Sequence, residues 1–150
     1  GCLAVTAKNL LPNTHVLATD VSTDALKIAR KNARKQRAQI QFKQMDLRHE
    51  LPKMPKTRPC VILANLPYVP DELITSPEIT KEPSVALFAG PDGLNLYQEF
   101  WKQISSLKNK PIAVITESLQ NQHSKTLQLA SRSGYKIQET NGLAQLFILG

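Results

Sequence analysis

Asp20, Asp46 and Asn65 each follow an apolar stretch at a point where a strand is predicted to end. In an open α/β sheet, ligands bind beyond the carboxyl ends of the strands. The sequence therefore predicts that these three side chains lie side by side along one edge of the sheet. Two carboxylates and an amide at such an edge favour recognition of hydroxyl and amine groups.

The two aspartates suit the parts of a nucleoside. A carboxylate in the position of Asp20, followed by Val21 and the helix-capping residue Ser22, can accept hydrogen bonds from both ribose hydroxyls. Asp46 can accept the exocyclic amine of adenine, with Leu47 packing on the ring. The alternatives are a helix-capping role for Asp20 and an ordinary loop position for Asp46. We expect a nucleoside site.

The stretch Asn65-Leu66-Pro67-Tyr68 could hold a flat –NH₂ group. Asn65 would offer its side-chain oxygen and Leu66 its backbone carbonyl. Pro67 keeps Leu66 out of the helical region, which helps to fix the direction of that carbonyl. Tyr68 would supply an aromatic wall. A carboxamide and an adenine amine both fit this description, and a simple turn is the alternative, since Asn and Pro are turn formers.

The elements that would position these residues alternate along the chain. Hydrophobic periodicity predicts the order α-β-α-β-β-α-β-α-β-β within one domain. This order indicates an open α/β sheet with right-handed crossovers, closed by an antiparallel strand pair near the carboxyl terminus. Because the first predicted element is a helix and Gly1 is not an initiator Met, we expect a preceding strand and a chain cut within a domain.

The charge balance favours an anionic neighbourhood such as RNA or the ribosome. Nineteen Lys and Arg residues against 12 Asp and Glu give a net charge of +7, and much of the excess lies between Lys27 and Lys43. A solvated helix face is the alternative. Cys2 and Cys60 are expected to be buried free thiols, which indicates a reducing, cytoplasmic environment. No histidine pair has ligand spacing, and no apolar run reaches membrane-spanning length, so neither a metal nor a membrane is expected.

Taken together, the motifs resemble the HemK-like family, the peptide chain release factor glutamine methyltransferases. Gly1 resembles the last glycine of that family's glycine-rich cofactor loop, and residues 18–33 resemble its ribose-binding strand and following helix. Residues 65–70 resemble its NPPY-type motif, with Leu66 where the family usually has Pro. Residues 82–88 and 90–94 resemble the loop that follows. The resemblance implies a Rossmann-like class I fold, dependent on S-adenosyl-L-methionine, with helices on both faces of the sheet.

The resemblance also implies a function. Residues 1–150 would be part of a catalytic domain that methylates the glutamine amide in the Gly-Gly-Gln loop of a release factor. Gly1, Asp20, Val21, Asp46, Leu47 and Asn65 would bind the cofactor, and residues 65–68 would hold the amide. Glu82 is expected to contact the substrate or to support the structure, and Glu117 to support the site from behind.

Two other hypotheses remain open at this point. The NLPY form of the motif also occurs in ribosomal RNA adenine dimethyltransferases, so methylation of an adenine amine in RNA or DNA is the second. Residues 82–94 favour the protein substrate over this one. The third is that the chain is a truncated and inactive piece of such an enzyme.

Overall fold

The computed structural model describes residues 1–71 and 90–150. These residues divide into two compact units, Gly1–Glu50 and Leu51–Gly150. The order of helices and strands is the predicted one, with an added 3₁₀ turn before the last helix. The expectations for Glu82 and for residues 82–88 lie outside the described residues.

The first unit is built from two strands and two helices. In chain order these are α1 (Cys2–Leu10), β1 (Leu17–Asp20), α2 (Thr23–Lys35) and β2 (Gln41–Gln44). The two strands pair in parallel with Asp20 opposite Gln44. The residues after both strands therefore emerge at the same edge of this sheet, as predicted for Asp20 and Asp46.

Helix α2 begins where the sequence indicates. The Ser22 hydroxyl accepts the Ala25 N–H at 3.2 Å, which satisfies one of the free amide groups of the first turn. Leu26, Ala29 and Ala33 form the buried stripe. The apolar pattern of residues 25–33 predicts that Ile28 also belongs to this stripe, and that prediction is wrong, because its side chain is 61% exposed. Two residues along a helix turn the side chain by about 200°, away from Leu26.

The first helix buries less than its apolar pattern predicts. Val5 is the buried residue of α1, whereas Leu3 and Leu10 are exposed. The expectation of two buried thiols is also corrected: Cys2 is exposed and Cys60 is only partly buried. Cys2 lies at the first position of α1, three residues before the buried Val5. Partial burial raises the pKa of the Cys60 thiol.

The described residues of the second unit form a four-stranded sheet with two α-helices. Its elements are β3 (Val61–Ala64), α3 (Asn95–Ser106), β4 (Ala113–Glu117), α4 (His123–Arg132), β5 (Tyr135–Asn141) and β6 (Ala144–Leu149). The strand order is β3-β4-β6-β5, parallel between β3 and β4 and antiparallel for the other pairs. The predicted antiparallel pair at the carboxyl terminus is confirmed.

Helices α3 and α4 pack on one face of the sheet. The Trp101 ring of α3 meets the rings of Tyr135 and Phe147 edge-on, with centroids 5.4 and 5.3 Å apart. The Thr126 hydroxyl of α4 hydrogen-bonds the Gln145 side chain. Gln145 and Phe147 are two residues apart on β6, so their side chains share a face. This face holds the aromatic core of the unit.

The continuous apolar run of residues 61–64 predicts a strand buried on both faces, and the opposite face of this sheet shows that prediction to be wrong. Val61 is 51% exposed and Leu63 is 42% exposed, while Ala64, which points the other way from Leu63, is buried. The reason lies within the unit, because α3 and α4 both cover the face that carries Ala64 and its neighbour Thr116 on β4.

Candidate active site

In the first unit, the chain folds back on itself around Asp20. One carboxylate oxygen, Oδ1, accepts the Ser22 N–H at 2.8 Å, and the Gln44 side chain donates to the Val21 carbonyl at 3.1 Å. These bonds fix the turn from β1 into α2. Asp20 is exposed, and its Oδ2 accepts no hydrogen bond from the part of the chain that the structure describes. Asp20 thus presents an oriented acceptor at the carboxyl end of β1.

Asp46 is held by a neighbouring cation. Arg48 donates from Nε to both carboxylate oxygens at 2.9 and 3.0 Å, and its terminal nitrogen reaches Oδ2 at 2.6 Å. These hydrogen bonds lower the pKa of Asp46 from 3.8 to about 2. The nucleoside role of Asp46 stays a prediction. That role requires an adenine amine to share the Asp46 carboxylate oxygens with Arg48, which already donates to both of them.

Gly1 lies against the second helix. A Cβ placed on Gly1 would come within 2.5 Å of the Ala29 Cβ, which no real side chain allows. A glycine here lets the start of α1 pass close to α2. The cofactor role expected for Gly1 stays a prediction.

In the second unit, the motif that starts at Asn65 emerges directly from β3. The Asn65 side chain is exposed, and within residues 1–71 and 90–150 it has no hydrogen-bond partner. The Leu66 carbonyl likewise accepts no hydrogen bond from the described residues. Two acceptors are therefore available at the carboxyl end of a parallel strand, where the sequence places them.

Two tyrosines and a glutamate hold the motif from behind. The Tyr68 hydroxyl donates to the Glu117 carboxylate at 2.8 Å, and the Tyr97 hydroxyl donates to the Glu117 backbone carbonyl. Burial raises the pKa of Tyr97, the nearby Tyr68 and Glu117 raise it further, and a hydrogen bond from the Leu66 backbone opposes the rise. Glu117 therefore contacts the motif through the Tyr68 hydroxyl, which is consistent with a supporting role for its side chain.

The Tyr68 backbone is also fixed. The Gln122 side chain donates to the Tyr68 carbonyl and to the Asp92 carbonyl, both at 2.8 Å. Gly93 lies against this point, because a Cβ there would overlap the Tyr68 carbonyl oxygen. The motif is therefore held by its tyrosine hydroxyl and by its last carbonyl.

Three residues of these networks were missed from the sequence. The pattern of residues 121–133 predicts a helix in which Gln122 carries no motif, and the spacing of residues 94–104 predicts Tyr97 only as part of an apolar stripe. Arg48 had a visible signal, a cation two residues after an acid. The expectation that Asp20 and Asp46 lie beside Asn65 joins the two units and stays a prediction.

No group of three or more His, Cys, Asp or Glu side chains among the described residues could hold a metal ion. Within the same ranges, every helix is too short or too polar to cross a bilayer.

Comparison with known proteins gives a family. Residues 1–77 match the family described as "Methyltransferase domain". A "Bifunctional methyltransferase" of Rickettsia prowazekii is 33% identical over 140 residues, which cover 91% of this chain and 27% of the relative. A "Release factor glutamine methyltransferase" of Staphylococcus aureus is 35% identical over 126 residues, which cover 81% of this chain and 45% of the relative. The chain thus spans less than half the length of either.

Solved structures share the fold. A methyltransferase from Pyrococcus furiosus aligns with 99% of this chain and 68% of its own, with a TM-score of 0.63 and 14% identity. A Pyrococcus abyssi tRNA (uracil-54, C5)-methyltransferase, solved in complex with S-adenosyl-L-homocysteine, aligns with 98% of this chain and 29% of its own, with a TM-score of 0.52 and 13% identity. The predicted fold class, a Rossmann-like methyltransferase, is confirmed.

The family assignment joins these lines of evidence. The match covers 77 of 150 residues, from Gly1 through β3 and the motif that follows it. The relative from S. aureus bears the name of the family that the sequence motifs resemble, so that resemblance is confirmed. The chain belongs to the methyltransferase domain family.

Proposed function

We propose that this protein transfers a methyl group from S-adenosyl-L-methionine to the side-chain amide of a glutamine in a peptide chain release factor. Residues 1–150 would form part of its catalytic domain. The proposal assigns the cofactor to Gly1, Asp20, Val21, Asp46 and Leu47 of the first unit, with a contact from Asn65. It assigns the amide to residues 65–68.

The cofactor assignment is supported by the chemistry around Asp20. Ser22 orients the carboxylate through Oδ1, which leaves Oδ2 toward solvent as an acceptor for a ribose hydroxyl. A charged acceptor of this kind makes a stronger hydrogen bond than a neutral one. When bound, S-adenosyl-L-methionine supplies a methyl group that its positive sulfur has already activated for transfer.

The residues of the motif do the remaining work by positioning. Asn65 Oδ1 and the Leu66 carbonyl accept the two hydrogens of the amide and aim its nitrogen at the methyl carbon. A bound S-adenosyl-L-methionine would give up its methyl group and keep the electron pair on sulfur, and the amide nitrogen held by Asn65 and Leu66 would release one proton to solvent. Positioning of this kind supplies about 7–11 kcal/mol in favourable cases. Positive charge that develops on the nitrogen strengthens both hydrogen bonds, so they stabilise the transition state more than the ground state.

One observation carries the proposal. Three hydrogen bonds hold the motif: the Tyr68 hydroxyl bonds Glu117, the Tyr68 carbonyl bonds Gln122, and the Leu66 backbone bonds the Tyr97 hydroxyl. The acceptors left over among the described contacts are the Asn65 side chain and the Leu66 carbonyl. A pair of adjacent acceptors, of which the Leu66 carbonyl lies in a backbone held by these contacts, suits a planar –NH₂ group with two donors.

The choice of a release factor rests on relatives. The S. aureus protein named for that substrate is 35% identical over 81% of this chain. Release factors act in the cytoplasm, and the proposed reaction belongs there. An adenine amine presents the same two donors to residues 65–68, so a nucleobase substrate is the outcome to test against.

The deciding experiment offers both substrates to the full-length protein. Tritiated S-adenosyl-L-methionine should label a release factor, and a Gln→Ala change in its Gly-Gly-Gln loop should remove the label. Asn65→Ala should abolish labelling, whereas Asn141→Ala, at another exposed asparagine of the same unit, should leave it unchanged. Label in ribosomal RNA and none in the release factor would overturn the choice of substrate.

A contact with RNA near the site of translation is a second part of the proposal. The span from Lys27 to Lys43 carries seven cations and no acid, which equals the whole net charge of +7. Arg30 and Arg34 line a groove with Phe42, and the Arg30 guanidinium lies 5.7 Å from the Phe42 ring centroid. Clustered cations of this kind bind phosphates in a salt-dependent way.

Charge reversal tests this contact. Lys31→Glu with Arg34→Glu should weaken binding to ribosomal RNA and flatten its dependence on salt concentration. Lys108→Glu with Lys136→Glu changes the net charge by the same amount at exposed positions of the second unit. Equal weakening by the two double variants would show that only net charge matters.

A further inference from the structure

Gln122 lies at a junction that the proposed mechanism does not use. It ends the 3₁₀ turn Gln120–Gln122 between β4 and α4, and it is 4% exposed. Its Nε2 donates to the Tyr68 and Asp92 carbonyls, and its Oε1 accepts the Leu119 N–H at 2.9 Å. One buried amide therefore joins three backbone segments: the motif, the turn 90–94 and the end of β4.

The turn 90–94 is itself tightly held. The Gly93 N–H donates to the Gly90 carbonyl and the Leu94 N–H donates to Asp92 Oδ1, both at 3.0 Å. Gly93 has a φ of 73°, which glycine adopts without strain. Because a Cβ at Gly93 would overlap the Tyr68 carbonyl oxygen, this turn rests directly on the motif backbone.

We propose that Gln122 is a positioning residue for methyl transfer, which braces the motif by tying the Tyr68 carbonyl to the Asp92–Gly93 turn. The brace sets the path of the chain from Asn65 to Tyr68 and so fixes the direction of the Leu66 carbonyl. This inference rests on the proposed function. It gives residues 92–94 the task of supporting the motif, which is distinct from contacting the substrate.

Few side chains can make this set of contacts. The brace needs two N–H donors on one nitrogen and an acceptor next to it, on a stem of two methylene groups. Glutamate keeps the length and the acceptor but sets a carboxylate against two carbonyl oxygens. Methionine keeps the length and the burial and removes all three hydrogen bonds. A misplacement of about 1 Å at a site of this kind costs on the order of 100-fold in rate.

The test compares Gln122→Glu and Gln122→Met with Ser133→Ala in the full-length protein. Ser133 is also buried, and its hydroxyl bonds the Trp101 and Leu129 carbonyls, away from the motif. Three quantities are measured at a temperature where every variant is folded. They are kcat and KM for a glutamine peptide of the release-factor loop, the Kd for S-adenosyl-L-methionine, and amide exchange at Gly93 and Leu94 by NMR.

For both Gln122 variants we expect kcat to fall by about 10- to 100-fold. The cofactor Kd should stay within about twofold, since Gly1, Asp20, Val21, Asp46 and Leu47, which carry most of the proposed cofactor contacts, keep their own contacts. The Gly93 and Leu94 amides should exchange faster. Ser133→Ala should change none of these.

Unchanged kcat in folded Gln122 variants, or unchanged exchange at Gly93 and Leu94, would overturn the inference. So would a loss of kcat in Ser133→Ala of the same size. A wild-type protein that labels no glutamine peptide would instead remove the proposed function, and the exchange comparison would still decide whether Gln122 braces the motif.

Discussion

Replacing Tyr97 by Phe removes the hydroxyl that contacts the Leu66 backbone of the motif and keeps the aromatic ring. Tyr97 is 0% exposed, and its hydroxyl donates to the Glu117 carbonyl and is contacted by the Leu66 backbone. Tyr135 offers a matched control. It is 1% exposed, and its hydroxyl donates to the Pro111 carbonyl at 2.6 Å. Pro111 lies just before the start of β4, whereas the motif follows the end of β3.

The expected loss of stability is similar for the two variants. Each leaves a carbonyl without its hydroxyl donor, part-buried at Glu117 and buried at Pro111, which costs about 1–3 kcal/mol. Urea unfolding followed by circular dichroism should therefore show a lower midpoint in both, with the slope against urea unchanged. Activity should separate them: Tyr97→Phe frees the Leu66 backbone and should lower kcat by about 10-fold or more, whereas Tyr135→Phe should keep it.

Two results would refute this reasoning. A Tyr97→Phe protein as stable as the wild type would show that the hydrogen bond of this hydroxyl does not contribute to the free energy of unfolding. Equal fractional losses of kcat in Tyr97→Phe and Tyr135→Phe, both measured while folded, would show that Tyr97 affects the motif no more than a distant buried tyrosine does.

Three further changes test other parts of the site. Asp20→Ala should weaken S-adenosyl-L-methionine binding by about 1.5–3 kcal/mol in calorimetry, the range for hydrogen bonds to charged groups, and an unchanged affinity would remove its role. Leu66→Pro keeps the carbonyl but removes the backbone N–H that bonds Tyr97, so methyl transfer should fall to about the level of Tyr97→Phe; a folded variant with no transfer at all would exclude the carbonyl. Arg48→Ala should raise the pKa of Asp46 from about 2 toward 3.8, read from its carboxyl carbon by NMR titration. The stability that this ion pair adds is present above the ordinary pKa of Asp46 and is lost as pH falls through about 2. The variant should lack this pH dependence of stability. An unchanged Asp46 titration would show that Arg48 does not lower its pKa.

Local patterns were sufficient to predict the elements. Ser22 marks the start of α2, Gly134 with a φ of 90° marks the end of the helical stretch that contains α4, and the spacing of Tyr97, Phe100, Trp101 and Ile104 predicts the buried side of α3. Each signal depends on neighbours within a turn or two of chain. The strand ends at Asp20 and Ala64 follow from the same logic.

Long-range contacts were not predictable in this way. The Gln122 amide meets a carbonyl 54 residues earlier in the chain, and the Tyr68 hydroxyl meets Glu117 49 residues later. Nothing in the residues around Gln122 specifies that partner, because the contact is set by how β3 and β4 pair. The half-exposed Val61 was missed for the same reason, since its environment depends on which face α3 and α4 cover.

The location of the aromatic residues gives the second unit an optical signal of its own. Trp101 is the single tryptophan of the chain, and all three tyrosines lie with it between Leu51 and Gly150. Buried among Phe100, Tyr135 and Phe147, its indole should shift its emission to longer wavelength when this core opens. Residues 1–50 contain neither Trp nor Tyr, so their unfolding is silent in intrinsic fluorescence. Fluorescence and far-ultraviolet dichroism recorded on one sample will therefore reveal whether the two units melt together or one after the other.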